Sequence, residues 1–205
     1  LIGEGLLVEQ YKVFPTHIHI QDNILHEDIL LKIRNDIIKS YDSNKSNWQS
    51  EPDIYNKEVY YNLKEKVLSD TSKILNSLGY DYEQIYITDM WSNILKPGES
   101  HKIHTHSNNY ISGVFYVDAD KSSGIIFNDP RPQANVIQPH ITNKSIDNAN
   151  SLSYESKTNR IIYFPSWLQH HVPINKTNKN RISIAFNLMF KGKIGNSKEF
   201  QSAIL

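Results

Sequence analysis

No cysteine occurs in the 205 residues, which excludes disulfides and any thiolate-ligated metal. Charge of one sign is missing too: 22 Lys and Arg stand against 22 Asp and Glu, and no basic run stands out. A broad positive face for a nucleic-acid backbone is therefore not expected. Long apolar runs are absent, so no stretch approaches the roughly 20 apolar residues a membrane-crossing helix needs. The first ten residues lack the basic flank and apolar core of a secretory leader. The chain opens on Leu1 rather than Met, and further residues are expected upstream. These absences fit a protein working in a reducing cytoplasm, with no membrane partner.

A chain of this length reads as one domain over 1–205, without room for a second catalytic domain. The expected division is an N-terminal strand and supporting helices over 1–83, a β core over 84–190 and a tail over 191–205. The first helix is predicted near Glu27 to Tyr41, where Leu30, Ile33 and Ile37 recur at helical spacing. The second is predicted near Tyr55 to Leu78, on Tyr60, Leu63, Val67, Ile74 and Leu78, ending at Gly79. Both read as supports laid against the outside of a sheet. Trp48, in the polar connection between them, either caps the core or lines a substrate entrance.

Short strands follow, predicted at 84–95, 101–106, 110–118, 123–128, 134–138, 152–156, 160–164, 169–174 and 181–190. Residues 142–150, rich in Asn, Ser and Asp, read as a loop. Eight or so antiparallel strands after two helices predict a mainly β fold with flanking helices, a jelly-roll barrel.

Five of the nine histidines fall in two short stretches, Pro97-Gly-Glu-Ser-His101-Lys-Ile-His104-Thr-His106 and His170-His171. Alternate residues of a strand share a face, so His104 and His106 project together as a clamp for a metal. A third ligand comes from the distal pair, where strand parity lets only one of His170 and His171 serve, and His170 is preferred. Three ligands on one face of an octahedral ion leave positions for a co-substrate and O₂, as in non-haem Fe(II) oxygenases. A closed four-ligand zinc site leaves none.

The run Arg181-Ile-Ser-Ile-Ala-Phe-Asn187 alternates cleanly. Ile182, Ile184, Phe186 and Leu188 form one side, and Arg181, Ser183, Ala185 and Asn187 the other. A guanidinium and a hydroxyl side by side suit a carboxylate, which Arg grips with two parallel hydrogen bonds.

Together these residues resemble the 2-oxoglutarate- and Fe(II)-dependent oxygenases, whose double-stranded β-helix, a cupin-like barrel, carries His-x-Asp/Glu, a distal His and a downstream Arg-x-Ser. More narrowly, the chain resembles phage and marine bacterial members of that superfamily. The shared motifs are Phe14-Pro-Thr16, Trp91-Ser-Asn93, Pro97-Gly98, His104-Thr-His106, Ser112-Gly-Val-Phe-Tyr116, Phe127-Asn-Asp-Pro-Arg131, Phe164-Pro-Ser-Trp167 and Arg181-Ile-Ser183 through Asn187. The likeness runs in order over nearly the whole chain.

It implies that His104, His106 and His170 hold Fe(II), and that Arg181 and Ser183, with Tyr116 beside them, bind the far carboxylate of 2-oxoglutarate. The reaction implied is O₂-dependent oxidation of a substrate coupled to decarboxylation of 2-oxoglutarate, most simply a hydroxylation. The substrate, a small molecule or a peptide side chain, is not named by the motifs. The departure from the superfamily is His106, which stands where Asp or Glu is usual, although histidine is the habit of the narrower group. If His106 does not ligate, water or a nearby acid such as Glu99 or Asp118 completes the shell.

His101, Asn93, Ser112, Arg131, His171, Asn187 and Trp48 are candidates for supporting or substrate-contacting roles. His17, His19, His26 and His140 carry no partner pattern and read as structural. A rival reading is a cupin-type metal protein that does not use 2-oxoglutarate, since Pro165-Ser-Trp-Leu-Gln-His170 echoes the spacing of a cupin half-motif. That reading lacks the expected glutamate after His-x-His and gives Arg181-x-Ser183 no task. A second rival is a catalytically silent binding module that keeps a metal for stability.

Overall fold

The computed structural model describes residue 9 and residues 11–120 and 124–205. The expected start of a strand at 123 and the reading of residues 1–8 as no leader lie outside the described residues. Along the chain run β1 (His19–Asp22), α1 (Glu27–Ser40), β2 (Trp48–Gln49), α2 (Tyr61–Ser77), β3 (Gln84–Leu95), β4 (His101–His104), β5 (Ile111–Asp118) and β6 (Ile125–Asn128). They are followed by β7 (Ser151–Tyr154), β8 (Arg160–Pro165), β9 (His170–Val172), β10 (Arg181–Lys191), β11 (Lys193–Asn196) and β12 (Gln201–Ile204).

One sheet has six strands in the order β1-β8-β5-β10-β3-β2, and the other has four in the order β4-β9-β6-β7. Every pairing within them is antiparallel. Consecutive strands alternate between the two sheets from β3 to β6 and again from β7 to β10, the winding of the jelly roll predicted from sequence.

The apolar side of the period-two pattern of β10 packs in the larger of two cores. Ile182, Ile184, Phe186 and Leu188 join Ile33, Ile37, Leu63 and Val67 of the helices in the larger core. The helices therefore do lie on the outer face of the six-stranded sheet. Glu27 and Asp28 sit in the first turn of α1 and Lys39 in its last, each complementing the helix dipole. Tyr60 donates to Asp36 at 2.8 Å, and Tyr163 of β8 donates to Asp70 of α2 at 2.9 Å, so helices and sheet are stitched as well as packed. A smaller core of Tyr116, Ile125, Phe127, Ile162, Phe164 and Leu168 fills the space between the sheets. Gly113 lies where β5 passes the Phe186 ring: a Cβ there would sit 2.7 Å from the Ile162 carbonyl oxygen and closer still to the ring.

Several expectations need correction. The second helix begins at Tyr61, not near Tyr55, because residues 54–56 and 58–60 form two 3₁₀ turns. Tyr60 is buried all the same, since a three-residue turn brings side chains round at nearly the helical spacing. The strand expected at 134–138 is replaced by a 3₁₀ turn over Pro132–Asn135. Pro132 and Pro139 lack the N–H a ladder requires. The expected tail folds back as the hairpin β11 with β12, which is largely exposed and so carries no alternation to read.

Candidate metal centre

His104 closes β4, His106 follows two residues later, and His170 opens β9, paired directly with His104 across the smaller sheet. One ring nitrogen of each lies within 4.8 Å of those of the other two. Ring centroids are 4.4 Å apart for His104 and His170, and 5.1 Å for each pairing with His106. Parity explains the choice within the distal pair: His170 is buried beside Phe164, while His171 takes the other face of β9. Of the alternative acids, Asp118 accepts from Arg34 at 2.8 Å. Glu99 accepts from Ser46, Asn47 and Lys96. Burial raises the Glu99 pKa, but those hydrogen bonds outweigh it and hold the carboxyl below its ordinary range. Both acids are thus committed elsewhere.

The donor chemistry fits a metal. Nδ1 of His104 lies 2.7 Å from the Lys102 carbonyl oxygen, and Nδ1 of His170 lies 2.8 Å from that of Leu168. A carbonyl oxygen only accepts, so each Nδ1 carries the proton and each Nε2 keeps its lone pair. Burial, reinforced by the neighbouring rings, brings His170 down to about 3 and His106 to about 4, so both are neutral near pH 7. A set of three imidazole donors suits Fe(II), among other first-row ions.

Behind the cluster the inner face of the larger sheet is polar. Arg181 is only 3 % exposed, and its guanidinium lies 5.6 Å from the centre of the fully buried Tyr116 ring. Ser183 is directly paired with Tyr116 on one side and with Asn93 on the other. His101 is lowered to about 4, first by burial and then by the charge of Arg181, which places the guanidinium close to the histidine stretch. Asn93 accepts from Trp91 at 3.2 Å and from Gln49 at 2.9 Å, and Trp91 stacks on His106. Ser112 donates to Asn187 at 2.7 Å. An open cavity of about 550 Å³, lined by Ser46, Asn47, Gln49, Gly98 to Lys102 and His104, leads to the cluster.

Two candidates lie elsewhere. Trp48 is buried edge-on to Tyr41 in the helix-side core, the capping role rather than the entrance. Arg131 is exposed, forks onto Asp129 at 3.0 and 2.8 Å, and borders a separate cavity beside the loop 137–150. Sequence reasoning gave no role to Gln49, Trp91 or Ser166. The last two sit inside quoted motifs, but Gln49 belongs to a two-residue edge strand with no periodicity to mark it.

Fold and site together define a jelly-roll protein with a three-histidine cluster fit for one metal ion and a buried arginine behind it. The model of the family described as "Putative 2OG-Fe(II) oxygenase" matches residues 89–187, a span that takes in all three histidines, Arg181, Ser183 and Asn187. Over that span, just under half of the chain, the sequence is similar to the 2-oxoglutarate- and Fe(II)-dependent oxygenases, and the three-histidine cluster fits that likeness. Among solved structures it is similar to the non-heme alpha-ketoglutarate-dependent epimerase SnoN of nogalamycin biosynthesis. That match has a TM-score of 0.65 at 8 % identity and covers 89 % of this chain and 82 % of that one. HygX of Streptomyces hygroscopicus with nickel and 2-oxoglutarate bound matches at TM-score 0.63 and 9 % identity, covering 84 % and 82 %. The viral collagen prolyl hydroxylase of Paramecium bursaria Chlorella virus-1 matches at 0.57 and 14 %, covering 83 % and 94 %. At such identities these likenesses speak for the fold alone. No curated protein matches by sequence.

Proposed function

We propose that this chain is a 2-oxoglutarate- and Fe(II)-dependent hydroxylase in which His104, His106 and His170 hold Fe(II), and Arg181 with Ser183 and Tyr116 holds the far carboxylate of 2-oxoglutarate. The carrying observation is the pairing of three ring nitrogens within 4.8 Å with a buried arginine on the sheet behind them. Iron and 2-oxoglutarate supply the oxidising power, using O₂ and releasing succinate and CO₂.

The chain supplies position and electrostatics. Nε2 of His104 and of His170 is offered by a ring whose other nitrogen is tied to backbone, which fixes both tautomers before any metal arrives. Arg181, buried and planar, offers two parallel N–H donors to a carboxylate in a site where water does not compete. Tyr116 and Ser183 stand at paired positions to add hydroxyl donors. Phe127 and Phe164 pack on His170 and keep solvent from the inner side of the cluster. The open polar cavity beside His104 is the entrance for the substrate, a small molecule or a peptide side chain. HygX with hygromycin B bound and a prolyl-4-hydroxylase of Pseudomonas putida illustrate both kinds on this fold.

The test is anaerobic titration of apo-protein with Fe(II), with and without 2-oxoglutarate, followed by succinate formation in air. Expected are a weak visible charge-transfer band that needs both components, and slow uncoupled succinate formation, both lost in His104→Ala. Stoichiometric Fe(II) binding with neither band nor succinate would refute the proposal and favour the cupin-type or silent-module reading.

A further inference from the structure

Of the three histidines, His104 and His170 each tie Nδ1 to the backbone carbonyl two residues earlier. His106 does not use that local device, and its ring meets Asn187 of β10 instead. Asn187 is 5 % exposed, and its side-chain oxygen also accepts from Ser112 Oγ at 2.7 Å. Ser112 Oγ lies 2.7 Å from Ser166 Oγ, and both serines are fully buried. The Ser166 carbonyl in turn accepts the backbone N–H of His106 at 3.0 Å. The path runs from the His106 ring through Asn187, Ser112 and Ser166 to the His106 backbone, a closed circuit of hydrogen bonds around one residue.

The donors and acceptors of this circuit are consistent in one direction. Ser112 spends its proton on Asn187, so Ser166 must spend its own on Ser112. The contact of Asn187 with the imidazole favours a protonated ring nitrogen, as an accepting amide oxygen does, so the nitrogen it meets carries the proton and, in the neutral ring, the other keeps its lone pair. Three polar side chains buried this deeply between strands would cost about 1 to 3 kcal/mol each if unsatisfied; here each has a partner. Beside Asn187 the register of β10 against β3 shifts, with Thr88 of β3 as the extra residue.

We propose that Asn187, held by Ser112 and Ser166, is the positioning residue of His106: its side-chain oxygen selects which ring nitrogen carries the proton and so which one faces the metal. The inference rests on the three-histidine reading above and deepens it. It gives the position where the superfamily usually has a carboxylate its own orienting group, one that reaches it from another strand of the other sheet. Outer partners of ligating histidines are commonly worth 10- to 100-fold in metal affinity.

The experiment is Co(II) titration of apo-protein, read by affinity and by the visible d–d spectrum, for the parent, Asn187→Ala, Asn187→Asp, His106→Ala and the Asn187→Ala/His106→Ala double variant. Expected are a roughly 10- to 100-fold loss and an altered spectrum in Asn187→Ala, substantial rescue in Asn187→Asp, which restores an acceptor, and no further loss when Asn187→Ala is added to His106→Ala. Silence in that last background separates action through His106 from a general packing defect. Parent-like affinity and spectrum in Asn187→Ala would overturn the inference while leaving the ligand set standing, as would equal losses with and without His106. A parent that binds no Co(II) would overturn the three-histidine reading itself, and the parent titration alone reports it.

Discussion

Replacing Arg181 by methionine isolates the part of the site that answers to 2-oxoglutarate. Methionine keeps much of the length and bulk of the side chain while removing the guanidinium, and the site is only 3 % exposed, so solvent cannot step in for the lost donors. A hydrogen bond to a charged partner contributes about 1.5 to 3 kcal/mol. Two parallel ones lost together, with some recovery by Ser183 and Tyr116 at the neighbouring paired positions, come to about 3 to 4 kcal/mol. That corresponds to a roughly 10²- to 10³-fold rise in the dissociation constant for 2-oxoglutarate. The assay is titration of 2-oxoglutarate into the anaerobic Fe(II)-loaded protein, with Fe(II) affinity measured separately and expected to stay near the parent value. Arg181→Lys should recover only part of the loss, because a point charge does not reproduce the fork. A dissociation constant within threefold of the parent in Arg181→Met would refute the assignment.

Three further outcomes follow from the packing and charges of the fold. Gly113→Ala drives a methyl group into the Phe186 ring and the Ile162 carbonyl; a cost of about 1 to 3 kcal/mol should lower the melting temperature by several degrees, and an unchanged melting temperature would contradict the packing described. Tyr163→Phe removes the hydrogen bond to Asp70 and should cost about 1 to 3 kcal/mol in urea denaturation, against nothing if the pair is dispensable. His106 and His170 are depressed to about 4 and about 3 by burial, so between those values and the ordinary histidine range the unfolded chain binds more protons than the folded one. Stability of the metal-free protein should therefore be full above about pH 6.5 and fall as the pH drops toward 4; a denaturation midpoint that holds steady or rises on acidification would contradict this.

How much of this was legible in the chain differs by element. The strand Arg181-Ile-Ser-Ile-Ala-Phe-Asn187 could be read almost in full, because one face packs on helices and the other lines the barrel, so alternation separates apolar from polar positions. His104, His106 and His170 were legible because parity restricts which histidines can meet. The 3₁₀ turns before α2 were not, since their spacing mimics the start of a helix, nor was the exposed hairpin at the chain end. Trp48 and Gln49 carried the least signal. A two-residue edge strand has no period, and only its pairing with Ile94 and Asn93 decides that Trp48 turns to the helices and Gln49 to the site. The Asn187 circuit joins residues up to 81 positions apart on three segments, and no local pattern records such a path.

The substitution of histidine for the usual carboxylate makes electrostatic sense against the rest of the inner face. With three neutral imidazoles the divalent ion keeps its full charge, and Arg181 adds another positive charge on the sheet behind it. Two cationic centres facing one cavity suit a ligand with a carboxylate at each end. Acids at the metal would compete with that ligand, and two of the acids near the site are held by other groups, Asp118 by Arg34 and Glu99 by a hydroxyl and two backbone N–H groups. Metal affinity forgone by omitting an anionic ligand must then be recovered by orientation, since a neutral donor contributes only where its lone pair points. Backbone carbonyls provide that orientation for His104 and His170, and the buried Ser166, Ser112 and Asn187 provide it for His106. A polar trio in the heart of a barrel, a costly thing to fold, is thereby tied to the same choice of ligand that suits Arg181 to a doubly charged co-substrate.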